Sequence, residues 1–217
     1  MKKVSRNNLS DQIFGYISRK IIKNELLPGE TIYETKVSKD LGVSRSPVRD
    51  ALHRLEQIHL VDRTPRGSYE VTRLSKKFIE NFYDTVNILY RYAAARSARL
   101  SGKKEIESFS RAMSKVTEGI EKKDFDLYLE GVTHFGQLLL KVAQNPIVEK
   151  IAMELMPTAE RIQWMAVTSL PDRMAELGDH VREGFEGICE KNPEKAARAF
   201  TRFAGLHRSI AIESFSW

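Results

Sequence analysis

One cysteine, Cys189, in 217 residues leaves no partner for an intrachain disulfide and no thiolate cage for zinc, which fits a reducing compartment. It is expected to be a small packed residue within a helix. No run approaches the roughly 18 consecutive apolar residues that span a bilayer. The first ten residues, MKKVSRNNLS, start with positive charge but lead into no apolar stretch of the signal-peptide kind, so a soluble cytoplasmic protein is expected. Also missing are a glycine-rich phosphate loop, an H-E-x-x-H, a serine with a convincing His/Asp partner, and paired carboxylates beyond those common on helix faces. These absences weigh against an enzyme. There is no internal repeat and no low-complexity linker. With 41% hydrophobic and 29% charged residues the chain is neither a disordered tail nor a mini-domain, and has material for one large domain or two smaller ones.

Acidic side chains are outnumbered, 29 against 35 basic, and the imbalance is local. Residues 1 to 75 hold 14 basic and 9 acidic side chains, a surplus of 5 within a total of +6, so the excess belongs to the first third. A polyanionic partner is therefore to be sought there.

In that third, Leu9, Ile13, Ile17, Ile21 and Ile22 recur at three- and four-residue spacing behind a polar cap, Asn8 or Ser10, and predict an amphipathic helix to about Glu25. Pro28-Gly29 ends it in a turn. An extended piece at Thr31 to Tyr33 leads to a short helix over Glu34 to Leu41, with Val37 and Leu41 inward and Gly42 closing it. Ser44 is a good N-cap, and Pro47 is tolerated only in a first helical turn, where its missing N–H costs nothing. A third helix thus runs from about Ser44 to Gln57 on an inner face of Val48, Ala51, Leu52 and Leu55. LVDRT and SYEVTR, joined by Pro65-Arg66-Gly67, read as a hairpin with a basic tip. From Ser75 the texture changes to long 3.6-period segments, cut by breaker and capping pairs at about 75–101, 103–122, 124–143, 146–168, 171–191 and 193–214. The junction is placed between Thr72 and Lys77, giving domains of residues 1–74 and 75–217.

Two short helices about a tight turn, the second with arginines at its exposed start, form a helix-turn-helix arrangement. Free N–H groups at that helix end suit a phosphate, and a nearby arginine can bind guanine O6 and N7 in the major groove. Arg45 and Arg49 are accordingly assigned to base readout. Ser44 and Ser46 are candidate phosphate contacts beside Pro47, and Arg66 with Gly67 would lie against the minor groove as a wing. Taken singly these arginines are ordinary solvated charges. The turn, the cap, the early proline and the basic hairpin together favour DNA.

The run GVSRSPVRDALHRLEQIHLVDRTPRGSYEV resembles the winged helix-turn-helix of the GntR family of bacterial transcription regulators, and the likeness extends from Leu9 to Val71. It implies the same roles for Arg45, Arg49, Ser44, Ser46 and Gly67, and adds Thr31 and Ser38 as further phosphate contacts. His59 stands where the family usually has glycine after the recognition helix. The remainder is similar to the FadR-like branch, through its helix count, the segment from Phe135 to Pro146 and NPEKAARAF at Asn192 to Phe200. The resemblance implies a mainly α fold, a winged helix-turn-helix followed by an all-α effector-binding bundle of six or seven helices. It also implies a homodimer on palindromic DNA whose operator affinity is set by a small-molecule effector. A repressor is expected, with activation as the alternative.

Many members of that branch hold a divalent metal through an Asp-x-x-x-His and two later histidines. Here those positions fall on Val132, Gly136, Val181 and Phe203, none of which ligates, and an arginine common in the first effector-domain helix falls on Val86. No metal is expected. The alternative is a shifted set, Glu130, His134, His180 and His207, which would also be the only basis for a metal-dependent hydrolase. Without a metal the pocket should take a larger or less charged ligand. Asn87, Tyr90, His134, Gln137, Arg161, Trp164, His180 and His207 are candidate effector contacts, with Gln163 beside them, though buried aromatics are more often core. A DNA-binding protein that senses nothing would share the basic domain. The near-neutral helical region is more chain than a dimerisation device needs.

Overall fold

The computed structural model describes residues 6–214, with side chains from Leu9 onward. The chain forms two compact units. One runs up to Leu74 and takes in Pro157–Arg161, and the other comprises Ser75–Met156 and the chain from Ile162.

In the first unit, helix α1 (Arg6–Ile22) turns Ile13, Ile17 and Ile21 inward. It starts earlier than its expected cap, so Ser10 lies inside the helix and is buried, while the side chain of Asn8 falls outside the described residues. It also ends three residues short of Glu25, because the chain leaves through Asn24 at φ 59°. Strand β1 (Thr31–Ile32) leads into α2 (Glu34–Leu41), closed by Gly42 at φ 65°, a left-handed conformation that strains any residue with a Cβ. Helix α3 (Arg45–Gln57) follows, then the hairpin of β2 (Val61–Arg63) and β3 (Tyr69–Val71). The sheet has the order β1-β3-β2, antiparallel throughout, with Val61 opposite Val71 and Ile32 opposite Tyr69.

The core of this unit is the inner face of α3. Val48, Ala51, Leu52 and Leu55 are fully buried against α1, Ile32, Leu60 and Val71. Each leucine buried this way contributes about 1.5–3 kcal/mol relative to exposure. Burial of that face fixes which side of α3 is left outward.

The second unit has six α-helices among the described residues: α4 (Lys76–Leu100), α5 (Lys103–Lys122), α6 (Phe125–Val142), α7 (Pro146–Ser169), α8 (Met174–Cys189) and α9 (Pro193–Ser214). A 3-10 turn at Pro171–Arg173 precedes α8, and α7 lends Pro157–Arg161 to the first unit. The helices begin where side chains satisfy their free N–H groups: Ser75 Oγ accepts from Phe78 N, Asp124 Oδ1 from Leu127 N, and Asn145 Oδ1 from Ile147 N and Val148 N with Pro146 at the first position. Helix α4 packs on α9, α5 on α6 and α8 on α9, around Phe109, Tyr128, Phe135, Leu139, Ile188 and Ile210. Cys189 departs from its expected packed position. It is the last residue of α8 and is exposed, because Gly187 and Ile188 take the inward face. No helix among the described residues is long and apolar enough to cross a membrane.

Candidate DNA interface and interior polar cluster

The outward end of α3 carries the predicted side chains. Ser44 has the extended backbone of an N-cap, φ −70° and ψ 160°, but its hydroxyl makes no capping bond, so the helix end keeps donors for an anion. Pro47, the third helical residue, is buried, while Ser44, Arg45, Ser46 and Arg49 are exposed. Arg49 is engaged by a residue that the sequence reading did not single out. Its Nε donates to both Glu34 oxygens at 3.1 and 3.2 Å and its Nη2 donates to Oε2 at 3.0 Å. The hydrogen bond first, and the charge next, raise its pKa above the usual guanidinium value. No local signal marks this pair, since the partners lie 15 residues apart on α2 and α3.

At the wing, Thr64 clasps the turn. Its N–H donates to Ser68 O at 2.8 Å, its carbonyl accepts from Gly67 N at 2.9 Å, and its hydroxyl meets Ser68 Oγ at 2.8 Å. Gly67 takes φ 81° with open space where a Cβ would stand, and Arg66 is exposed beside it. Thr31 is half-buried on β1. Ser38 corrects the expectation of a phosphate contact: it is buried and its hydroxyl donates to Thr35 O at 3.1 Å, pointing back along α2. The turn after α3 closes with Leu60 N to Leu55 O and His59 N to Glu56 O, both at 3.0 Å, and forces His59 to φ 59°. The family's usual glycine at that point has this physical reason.

The predicted effector contacts scatter. His134 and Gln137 are exposed on α6, and Gln137 Nε2 reaches Met156 Sδ at 3.4 Å. His180 sits within α8, half-buried, 4.0 Å from Glu183. Trp164 is half-buried against the core of the second unit. Arg161 belongs to the first unit, fully buried, with Nη2 donating to Thr72 O at 2.8 Å, and burial lowers its pKa to about 10. Tyr90 faces Gly136, where a Cβ would lie 3.1 Å from Cε1 and 3.4 Å from the hydroxyl.

The shifted metal set is not assembled. Glu130 is exposed and paired with Lys115, His134 is exposed, and among the described residues no three His, Cys, Asp or Glu side chains come together as an ion requires. At the positions that the resemblance assigns to metal ligands, Val132 and Val181 are buried and apolar, Phe203 packs on His207, and Tyr90 fills the space beside Gly136. These residues do not fit a metal. His207 is fully buried, stacked on Tyr83 with ring centres 6.3 Å apart and meeting Phe203 edge-on at 4.6 Å.

Residues 9–71 match the bacterial regulatory proteins of the gntR family, and residues 81–205 match the FCD domain. The chain belongs to the GntR family. It is 25% identical over 214 residues to the HTH-type transcriptional repressor RspR of Escherichia coli strain K12, covering 96% of this chain and 93% of the relative. It is 24% identical to the probable D-xylose utilization operon transcriptional repressor of Paenarthrobacter nicotinovorans, over 98% of this chain and 93% of that one. Among solved structures, E. coli McbR/YncC superposes with a TM-score of 0.83 at 16% identity, covering 96% of this chain and 99% of that chain. A GntR regulator from Rhodococcus sp. RHA1 gives 0.76 at 16% identity, over 95% and 99%. As a GntR-family protein with an FCD domain, the chain is a DNA-binding transcription regulator and not an enzyme.

Proposed function

We propose that this regulator is a cytoplasmic repressor, acting as a homodimer on a palindromic operator, whose affinity is altered by a small molecule held in the helical bundle. Arg45 and Arg49 read bases, Ser44, Ser46 and Thr31 hold phosphates, and Arg66 at Gly67 enters or flanks the minor groove. The observation that carries the reading is the end of α3, where an uncapped Ser44 and two exposed arginines stand on a helix locked by its buried face. Repression rather than activation is supported by the named relatives, which are called repressors.

The test starts from an operator selected by the protein out of random-sequence duplexes. Arg45→Ala should cost about 1–3 kcal/mol and relax preference at one base pair per half-site, whereas Ser44→Ala should weaken all sequences alike. Equal binding by both variants and the wild type would remove α3 from the interface. Dimerisation is read in the same preparation by sedimentation, and a palindrome bound by one monomer would overturn that part.

A further inference from the structure

Inside the second unit, five polar side-chain atoms are shut away from solvent with no hydrogen-bond partner: Tyr83 Oη, Asn87 Oδ1, Tyr128 Oη, and both Nδ1 and Nε2 of His207. Buried polar atoms are rarely left unpaired, because each costs its full desolvation. These five come from helices that pack together. Tyr83 and Asn87 lie one turn apart on α4, His207 on α9 stacks parallel to Tyr83, and Tyr128 on α6 is close enough for the Tyr83 hydroxyl to act on it. Phe203 meets the His207 ring edge-on at 4.6 Å, and Phe82 meets the Tyr83 ring edge-on at 5.7 Å. Asn87 also lines a surface groove between α4 and the start of α9.

The chemistry of the cluster is neutral throughout. Burial alone drives the His207 imidazole down to about 3 and the Tyr83 hydroxyl upward, and the Tyr128 hydroxyl rises through burial and Tyr83. No charged side chain acts on any of the three. A carboxylate or ammonium brought here would lose its hydration and find no countercharge, which is the costly way to bury an ion. An uncharged group can instead donate to the amide oxygen and accept from a phenol or the imidazole N–H without bringing a charge into the cluster.

We propose that Tyr83, Asn87, Tyr128 and His207 form a metal-free binding site for an uncharged, flat, largely apolar molecule bearing both a hydrogen-bond donor and an acceptor. The proposal rests on the effector-controlled reading above and names the chemical class of its effector. The aromatic walls set the flat apolar body, and the unpaired atoms set the polar end.

Three probes of one shape separate the possibilities: benzamide, which is neutral, benzoate and benzamidinium. Calorimetric titration of the full-length protein should give saturable binding of benzamide, at least tenfold tighter than either ion and unaffected by chelator. Tyr128→Phe and His207→Phe should each weaken it at least tenfold. Without ligand, Tyr83→Phe and Tyr128→Phe should raise Tm by roughly 2–8 °C, since each removes a buried unpaired hydroxyl. Absence of benzamide binding, benzoate binding as tightly, or a lower Tm in both phenylalanine variants would overturn the site. Operator affinity, measured in parallel, keeps the two readings apart. Normal DNA binding alongside failed benzamide binding sinks only the site, whereas loss of sequence preference in the wild type sinks the regulator reading.

Discussion

The guanidinium of Arg49 is held edge-on by the carboxylate of Glu34 through three contacts of 3.0–3.2 Å. One helix of the motif thereby restrains the side chain with which the next would read DNA, while adding a negative charge to a face meant for phosphates. Glu34→Ala frees Arg49 and removes that charge. Binding to non-specific duplex should tighten, the salt slope should steepen by about one, and the ratio of specific to non-specific affinity should fall. Anisotropy titrations at several salt concentrations check this, and an unchanged ratio would mean that Glu34 does not tune readout.

His59 occupies a left-handed conformation at φ 59° that suits glycine. His59→Gly should stabilise the protein by about 0.5–1 kcal/mol, the relief of strain being offset by the greater freedom of glycine in the unfolded chain. Urea unfolding with an unchanged m-value is the measurement, and a loss of stability would mean that the imidazole makes contacts worth more than the strain.

His207 gives the protein a stability that depends on pH. Its folded pKa of about 3 lies below the ordinary 6.5, so the unfolded chain binds the proton more readily between those values. Stability from this group is complete above pH 6.5 and is lost as pH falls, with a slope of up to about 1.4 kcal/mol per pH unit. His207→Phe should flatten the difference in Tm between pH 7 and pH 4.5 relative to the wild type. Parallel curves for the two proteins would contradict burial of the neutral ring.

The fit of Tyr90 beside Gly136 should reverse the sign of one substitution. Gly136→Leu in the wild type forces a side chain into the tyrosine ring and should cost about 1–3 kcal/mol, outweighing the helix propensity it gains. With Tyr90→Ala already present, Gly136→Leu should stabilise by filling the space. A double-mutant cycle reads the coupling directly, and additive effects would show that the two positions do not meet.

What could be read from residues alone follows the range of the physics. The α3 inner face at Val48, Ala51, Leu52 and Leu55, and the helix starts at Ser75 and Asn145, depend on neighbours within a few positions, and these emerged in place. Ser38 departs from the role the resemblance implies, and Cys189 from its expected packing, because neither a family position nor a residue type says what packs around a side chain in this chain. Nothing in the local pattern singles out Tyr83 and Tyr128. The only hint was a hydroxyl where phenylalanine would serve, and its significance depends on three helices meeting. The Glu34 to Arg49 pair was invisible for a similar reason, being a contact between elements rather than a pattern within one.

The hairpin that carries Arg66 is joined by only three residue pairs, Val61 with Val71, Asp62 with Glu70 and Arg63 with Tyr69. Beyond them the tip depends on the Thr64 clasp. Such a short ladder opens locally at little free energy, so its amides will exchange with solvent well before those of α3. Contact with a groove must first quench that opening. The wing then acts mainly as a latch on dissociation, lengthening residence on DNA that α3 has already chosen, and slowed exchange at Thr64 to Ser68 is the signature by which its engagement can be timed.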